Sequence, residues 1–284
     1  MKLVLAPILA FSLLYVATVR RPSVAAAIDP LPPDSGLSVV TLNMAKETDS
    51  TRIIRELRDT PPLGRADILL LQEVAPHVAA EMAGAFGMHL GQGRGTTPGE
   101  NELAILARPP LTNVQILRLP QYDLGFHTRH RFAIAATATT PEGPVRVYNA
   151  HLDTRLNAAD RLAQIAPVLD AAATDKAPTL IGGDFNSNNF YWLGHVLPLL
   201  SLQPQTVRVW KAMTARGFRS TLSPGTGTFD YLGMHLDWIW ARGVQVGTST
   251  VYPLRFSDHH ALCTRVALSR SEQAGPESPN RKRN

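Results

Sequence analysis

Carboxylates, carboxamides and histidines stand at the ends of apolar stretches throughout this sequence. Asn43 closes "SVVTLN", Gln72 and Glu73 close "ILLLQE", and Asn149, His151 and Asp153 fall in "VYNAHLD". Asp184 and Asn186 follow "TLIGG", while Asp258 and His259 precede "HALCTRVAL". Each has an ordinary explanation alone: Asn43 as a turn former, Glu73 as an acid ahead of the helix start at Pro76, His151 as a satisfied strand-end histidine. Asp237 is harder to excuse, because it sits inside the apolar "LDWIW" and a buried carboxylate needs a partner. His259, in "FSDHHAL", is the natural one. A carboxylate on one ring nitrogen would set the tautomer and raise the basicity of the imidazole, the base-and-orienter arrangement of hydrolytic sites.

Glu73, Asp184 and Asp258, with the amides of Asn43 and Asn186, are hard oxygen donors. They suit magnesium, manganese or calcium better than zinc. The sequence contains no HExxH motif and no serine or cysteine in a nucleophile-elbow context, which leaves water as the nucleophile. Oxygen ligands, a carboxylate-backed histidine and asparagine donors together suit hydrolysis of a phosphate ester.

Several elements must bring these residues together. Residues 37–44, 66–74, 103–108, 113–119, 131–140 and 145–152 read as strands, with a turn at 142–144 joining the last two. A strand also ends at the "GGDFN" motif, where the two glycines imply a sharp exit and Phe185 an anchor beneath it. Strands follow at 235–243, 244–251 and 259–268. Helical spacing marks residues 51–60, 76–86, 157–173 and 206–217. Gln72 reads as support behind the site, and Arg161 and Gln164 as structural. With 284 residues, 44% of them hydrophobic, the chain can build one large core.

The motifs "TLNM", "LLLQEV", "NELAILAR", "YNAHLDT", "GGDFNS", "HLDWIW" and "FSDHHAL" resemble, in order and rough spacing, the endonuclease/exonuclease/phosphatase superfamily with its deoxyribonuclease I-like fold. The resemblance runs from about residue 39 to 268. It implies an α+β fold, a four-layer α/β/β/α sandwich of two mostly antiparallel sheets packed face to face with helices outside. It implies Glu73 as the main metal ligand, with Asn43 and Asp258 near the same cation, Mg2+ first and Mn2+ or Ca2+ as alternatives. Asp184 then orients or deprotonates the attacking water and Asn186 holds it and the phosphate. His259, oriented by Asp237, contacts the scissile phosphate, and His151 is a candidate acid for the leaving oxygen. Asn43 and Asn149 count among the substrate-binding residues. In "HTRHR", Arg129 or Arg131 holds substrate phosphate, or the segment is simply a solvated loop.

The net charge of +5 invites a nucleic-acid partner, but its placement weakens that reading. Three basic residues lie in 1–27 and three in 271–284, so residues 28–270 carry 22 basic against 21 acidic side chains, a balance of +1. Lys2, the apolar run 3–19 and Ala25–Ala27 describe a signal peptide over 1–27, or an uncleaved membrane anchor given Arg20 and Arg21. A proline-rich linker over 28–36, the catalytic domain over 37–270 and a disordered basic tail over 271–284 complete the division. The expectation is therefore an exported, monomeric phosphodiesterase or endonuclease with a phosphate-ester substrate such as DNA or RNA and no obligate protein partner. The alternative is a lipid or inositol-phosphate phosphohydrolase on the same core. No aromatic-rich insertion suited to membrane entry is evident, which counts against the lipid form. The lone Cys263, in an alternating stretch, reads as a small core hydrophobe.

Overall fold

A computed structural model describes residues 23–25, 31, 36–93, 102–124, 130–200 and 205–268. The expected N-terminal export segment, the linker and the basic tail lie almost wholly outside these residues. Seven strands form one sheet in the spatial order β1 (Ser23–Ala25), β14 (Val244–Tyr252), β15 (Ala261–Leu268), β2 (Leu37–Asn43), β3 (Ile68–Gln72), β5 (Leu103–Ala107) and β4 (His89–Gln92). Six form a second, in the order β12 (Arg219–Ser220), β13 (Asp237–Arg242), β9 (Thr179–Asp184), β8 (Gly143–His151), β7 (Phe132–Thr140) and β6 (Leu111–Arg118). All pairings in the two sheets are antiparallel except β2 with β3 and β8 with β9. A separate hairpin joins β10 (Phe190–Leu193) to β11 (Leu197–Leu200).

Period-two alternation divides the apolar side chains of these strands between two layers. Val39, Ile68, Leu70 and Ile105 of the first sheet meet Ile134, Val147, Leu180 and Ile239 of the second between the sheets. The alternate residues face outward onto helices. Val40, Leu42, Leu69 and Leu71 pack on Ile53 and Leu57 of α1 (Ser50–Asp59) and on Val78 and Met82 of α3 (Pro76–Phe86). Tyr148, Ile181, Trp238 and Trp240 pack on Ile165, Val168 and Leu169 of α4 (Ala158–Thr174) and on Val209 and Met213 of α5 (Gln205–Thr214). Three buried clusters thus make the four-layer sandwich. Cys263 is buried beside Ser38 in the first sheet.

Helix limits follow local chemistry. Asp49 caps α1 by accepting from the Arg52 amide, Pro76 opens α3, and Gly87 closes it in the left-handed conformation. The β7–β8 turn falls at residues 141–142, one residue earlier than expected, because Thr140 and Gly143 already pair. Elements too short to show periodicity escape the sequence: β4, β10, β11, β12 and α2 (Pro61–Gly64). β1 lies within the expected export segment and pairs Ser23 to Ala25 with Val251 to Ser249 at the edge of the first sheet.

The glycines of "GGDFN" differ from expectation. Gly182 and Gly183 both lie inside β9 and turn nothing. A Cβ on Gly182 would meet Leu70 Cδ1 of the opposite sheet at 2.4 Å. One on Gly183, whose φ is +133°, would stand 1.9 Å from the Ala150 carbonyl oxygen. They permit close approach across and within the sheets, and the sharp turn comes later, at Asn186 with φ +50°.

His235 is buried against Trp238 with ring centroids 3.8 Å apart, and Trp238 stacks on Trp240. Burial pushes its pKa down to about 3, so the folded protein holds it neutral while the unfolded chain takes up a proton below about 6.5. Stability therefore falls as pH drops through the interval between these values. His235→Phe keeps the stack and removes the titration. In urea unfolding, the drop in stability from pH 7.5 to pH 5 should shrink by about 2 kcal/mol in the variant.

Candidate functional site

The inward-facing rows of the two sheets turn polar at one end. Val39 and Thr41 lead to Asn43 on β2, Leu70 leads to Gln72 on β3, and Val147 and Asn149 lead to His151 on β8. Leu180 and Gly182 lead to Asp184 on β9, and on antiparallel β13 inward Asp237 comes first, ahead of Ile239. Register completes the set, since His151 pairs with Asp184 on the parallel strand and Asp184 with Asp237 on the antiparallel one. Three titratable side chains therefore share one row of the second sheet and face the first.

Asp184 is the meeting point. Its Oδ2 accepts from Asn43 Nδ2 at 3.0 Å and Asn186 Nδ2 at 3.1 Å, and its Oδ1 from the Asn186 amide at 2.8 Å. Nε2 of His151 and Nε2 of His259 stand 3.5 and 3.8 Å from the same Oδ2. Burial raises the Asp184 pKa to about 6, with the nearby His259 charge opposing and the Asp237 charge adding. His259 is the counterpart. Burial alone would lower its pKa, but the carboxylates of Asp237 and Asp184 outweigh that and push it up to about 10. Its Nδ1 lies 2.9 Å from Asp237 Oδ2, which also accepts from Thr228 Oγ1 at 2.8 Å. The ring is thus a charged donor whose free Nε2–H faces the pocket.

His151 has a different neighbour behind it. Arg131 Nη1 lies 3.2 Å from its Nδ1, and a guanidinium can only donate. Nδ1 therefore accepts, and the proton sits on Nε2, facing Asp184 and, at 3.9 Å, Glu73 Oε1. Nε2 is thus the atom through which His151, the candidate acid for the leaving oxygen, meets the site. Arg131 is itself held by Asp153 at 2.7 Å, and Asp153 by Gln164 at 2.7 Å.

Two expected substrate contacts are accordingly reassigned. Arg131 is buried behind His151 and is no phosphate clamp. Asn149 is fully buried between the sheets, accepting from Gln72 Nε2 at 2.7 Å and donating to the Leu71 and Ala104 carbonyls. Arg129 lies outside the described residues. Gln72 and Arg161 support the site from behind, the latter donating to the carbonyls of Asp153, Leu156 and Phe185.

Asn43, Glu73, His151, Asp184, Asn186, Asp258 and His259 line one pocket of about 380 Å³. Glu73 and Asn186 hold positive φ values of 51° and 50°, strained for non-glycine residues and maintained only where surroundings dictate them. Asp184, Asp237 and His259 have ligand atoms within 4.8 Å of one another. His259 Nδ1 and Asp237 Oδ2 already face each other at 2.9 Å, which takes those two atoms from a cation. The oxygen donors beside it, Glu73, Asn43 and Asp258, fit a hard divalent cation, and no thiolate stands among them.

The rest of the pocket wall went unread in the sequence. Phe190, Trp192, Phe229, Met234 and Leu236 line it as well. Phe190 and Trp192 belong to the β10–β11 hairpin, an element the sequence analysis did not place. The available signal was the aromatic run "FYWL" shortly after the "GGDFN" motif. Thr228, which also accepts from the Leu236 and Asp237 amides, is a positioning residue that carries no motif.

Residues 40–259 match the sequence profile of the Endonuclease/Exonuclease/phosphatase family. No curated protein sequence matches the chain. Among solved structures, an endonuclease/exonuclease/phosphatase from Beutenbergia cavernae superposes with a TM-score of 0.62 at 18% identity, over 82% of this chain and 72% of that one. The human Nocturnin catalytic domain with bound sulfate gives 0.64 at 17%, over 88% and 97%. ANGEL2, a 2',3'-cyclic phosphatase, gives 0.59 at 15%, over 88% and 99%. At these identities the likenesses show a shared fold.

Asp237→Asn keeps the shape of the side chain but removes the charge that holds His259 protonated. Hydrolysis of a soluble phosphate diester should fall by about 10²–10⁴-fold in kcat, by the logic of an orienting carboxylate. The circular dichroism spectrum and KM should change little. An unaltered kcat would remove Asp237 from the machinery.

Proposed function

This chain belongs to the endonuclease/exonuclease/phosphatase family of metal-dependent phosphoester hydrolases, and from that premise we propose that it is an exported, divalent-metal-dependent phosphodiesterase. The observation that carries the reading is the meeting of Asp184 and His259 in one pocket, Oδ2 and Nε2 3.8 Å apart, with both pKa values pushed up from their ordinary ranges, to about 6 and about 10. A carboxylate poised to take a proton beside an imidazolium poised to donate is the division of labour that acid–base hydrolysis requires.

The residues divide the work as follows. Asp184, its Oδ2 held by Asn43 and Asn186, takes a proton from a water molecule as the water oxygen approaches phosphorus. His259 donates its Nε2–H to a phosphoryl oxygen, and Asp237 keeps the ring charged and oriented. His151 adds a second donor from Nε2. A hard cation held by Glu73, with Asn43 and Asp258 beside it, would neutralise charge on the phosphoryl oxygens. Among the described residues the pocket lining contains no lysine or arginine, and His259 supplies its positive charge.

Export rests on the sequence of residues 1–27. The pairing of β1 with β14 supports retention of that segment, because cleavage after Ala27 would strip an edge strand from the first sheet. Secretion of the full chain from a bacterial host, or its recovery in the membrane fraction, is the expected outcome; a purely cytosolic product overturns it.

With Mg2+ or Mn2+, the purified protein should hydrolyse bis(p-nitrophenyl) phosphate, lose the activity to EDTA and regain it when the cation is restored. Glu73→Gln, Asp184→Asn and His259→Asn should each cost about 10²-fold or more in kcat. Rates indifferent to EDTA, or unchanged in these variants, would overturn the reading.

A further inference from the structure

One wall of the pocket is a loop, residues 228–236, that closes on itself. The amides of Thr228 and Phe229 both donate to the Met234 carbonyl, at 2.9 and 3.1 Å. At its neck Gly227 lies so near Gly233 that a Cβ would stand 2.8 Å from the Gly233 carbonyl oxygen. Leu232 and Gly233, with φ values of 55° and 56°, turn the chain back. From this loop Phe229, Met234 and Leu236 line the pocket.

The loop meets the catalytic segment along a very short antiparallel ladder. Phe229 pairs with His259, between a bond from the Asp230 amide to the Asp258 carbonyl at 2.9 Å and one from the His260 amide to the Thr228 carbonyl at 2.7 Å. Residues paired between such bonds bring their side chains close together. The Phe229 and His259 rings accordingly stand 4.7 Å apart between centroids, inclined at 57°. The loop therefore reaches His259 by two routes, through Thr228 behind Asp237 and through Phe229 beside the ring.

Pairing this brief is marginal in water without side-chain support. The support stands on the residues that flank the pair, one on each strand. Nε2 of His260 lies 2.9 Å from Asp230 Oδ1, and both residues are half-buried. A carboxylate can only accept, so this Nε2 carries the proton. Neither side chain is among the described residues that line the pocket, and the hydrolysis set out above uses neither.

We propose that Asp230 and His260 are positioning residues whose contact clasps the 228–236 loop to the start of β15 and so keeps Phe229 against the His259 ring. The inference rests on the phosphodiesterase reading above, in which His259 is the donor to the phosphoryl oxygen. With Asp237 on its Nδ1 and Phe229 at its side, the ring keeps its Nε2–H on one line, and a donor already in place needs no reorganisation during the reaction. Released from the clasp, the loop can draw Phe229 away and let the ring tilt. Small displacements of that kind are expensive even when the substituted residue is remote from the chemistry.

The test compares wild type with Asp230→Ala, His260→Ala and the double variant on bis(p-nitrophenyl) phosphate under saturating Mg2+. We expect each single change to lower kcat about tenfold with KM held within about twofold. The double variant should lose no more than the worse single one, because the two side chains make one contact. Asp230→Asn, whose Oδ1 still accepts from Nε2–H, should return kcat to within about threefold of wild type. His260→Phe keeps the ring volume without the donor and should match His260→Ala, which separates the contact from packing and decides the matter where an alanine variant fails to fold. Wild-type kcat in folded variants lacking the contact, losses that add in the double variant, an effect confined to KM, or Asp230→Asn no better than Asp230→Ala each overturns the clasp and leaves the hydrolase reading standing. Inactivity of the wild-type protein on the diester overturns the reading on which the clasp rests.

Discussion

The site depends on one constraint, that the carboxylate of Asp184 is buried between two sheets with only 1% of its surface exposed. A carboxylate so placed must be satisfied by donors, and these come from both sheets and from the turn that follows. Asn43 reaches from the first sheet, Asn186 folds back from the turn, and His151 and His259 stand close by. The left-handed backbone at Asn186 brings both its amide and its side chain onto the same carboxylate. Removing any neighbour changes the charge balance of the others, so hydrogen bonding, protonation and catalysis are facets of one arrangement.

Two histidines at similar distance from that carboxylate have different groups behind them. Asp237, anchored by Thr228, holds the His259 pKa up. Arg131, anchored by Asp153, stands behind Nδ1 of His151 and leaves its Nε2 toward the pocket. Around this polar floor the walls are aromatic and aliphatic, and the β10–β11 ribbon carries that character outward into solvent.

Much of the sandwich was legible because period-two and helical spacing survive in the apolar positions of long elements. "ILLLQ" and "LAILA" announce strands buried on both faces, and "TRIIREL" an amphipathic helix. Short pieces such as β4, β12 and the β10–β11 hairpin were not, since four residues or fewer carry no periodicity that outweighs local noise. The glycines before Asp184 were read as a turn, whereas their cause is the proximity of Leu70 and the Ala150 carbonyl, which lie far away in sequence.

The sequence by itself determined the inventory of chemistry: which strand ends carry carboxylates, amides and histidines, and that Asp237 in an apolar strand needed a partner such as His259. Local residue types suffice for that, because burial cost depends on the side chain and its apolar neighbours. Only the tertiary structure decided the division of roles. Strand register put His151, Asp184 and Asp237 in one row, sheet packing turned Arg131 and Asn149 away from substrate, and the fold brought the hairpin of residues 190–200 to the rim. Electrostatic and packing effects at a few ångströms depend on distances between residues remote in the chain, and those distances exist only once the sheets have met.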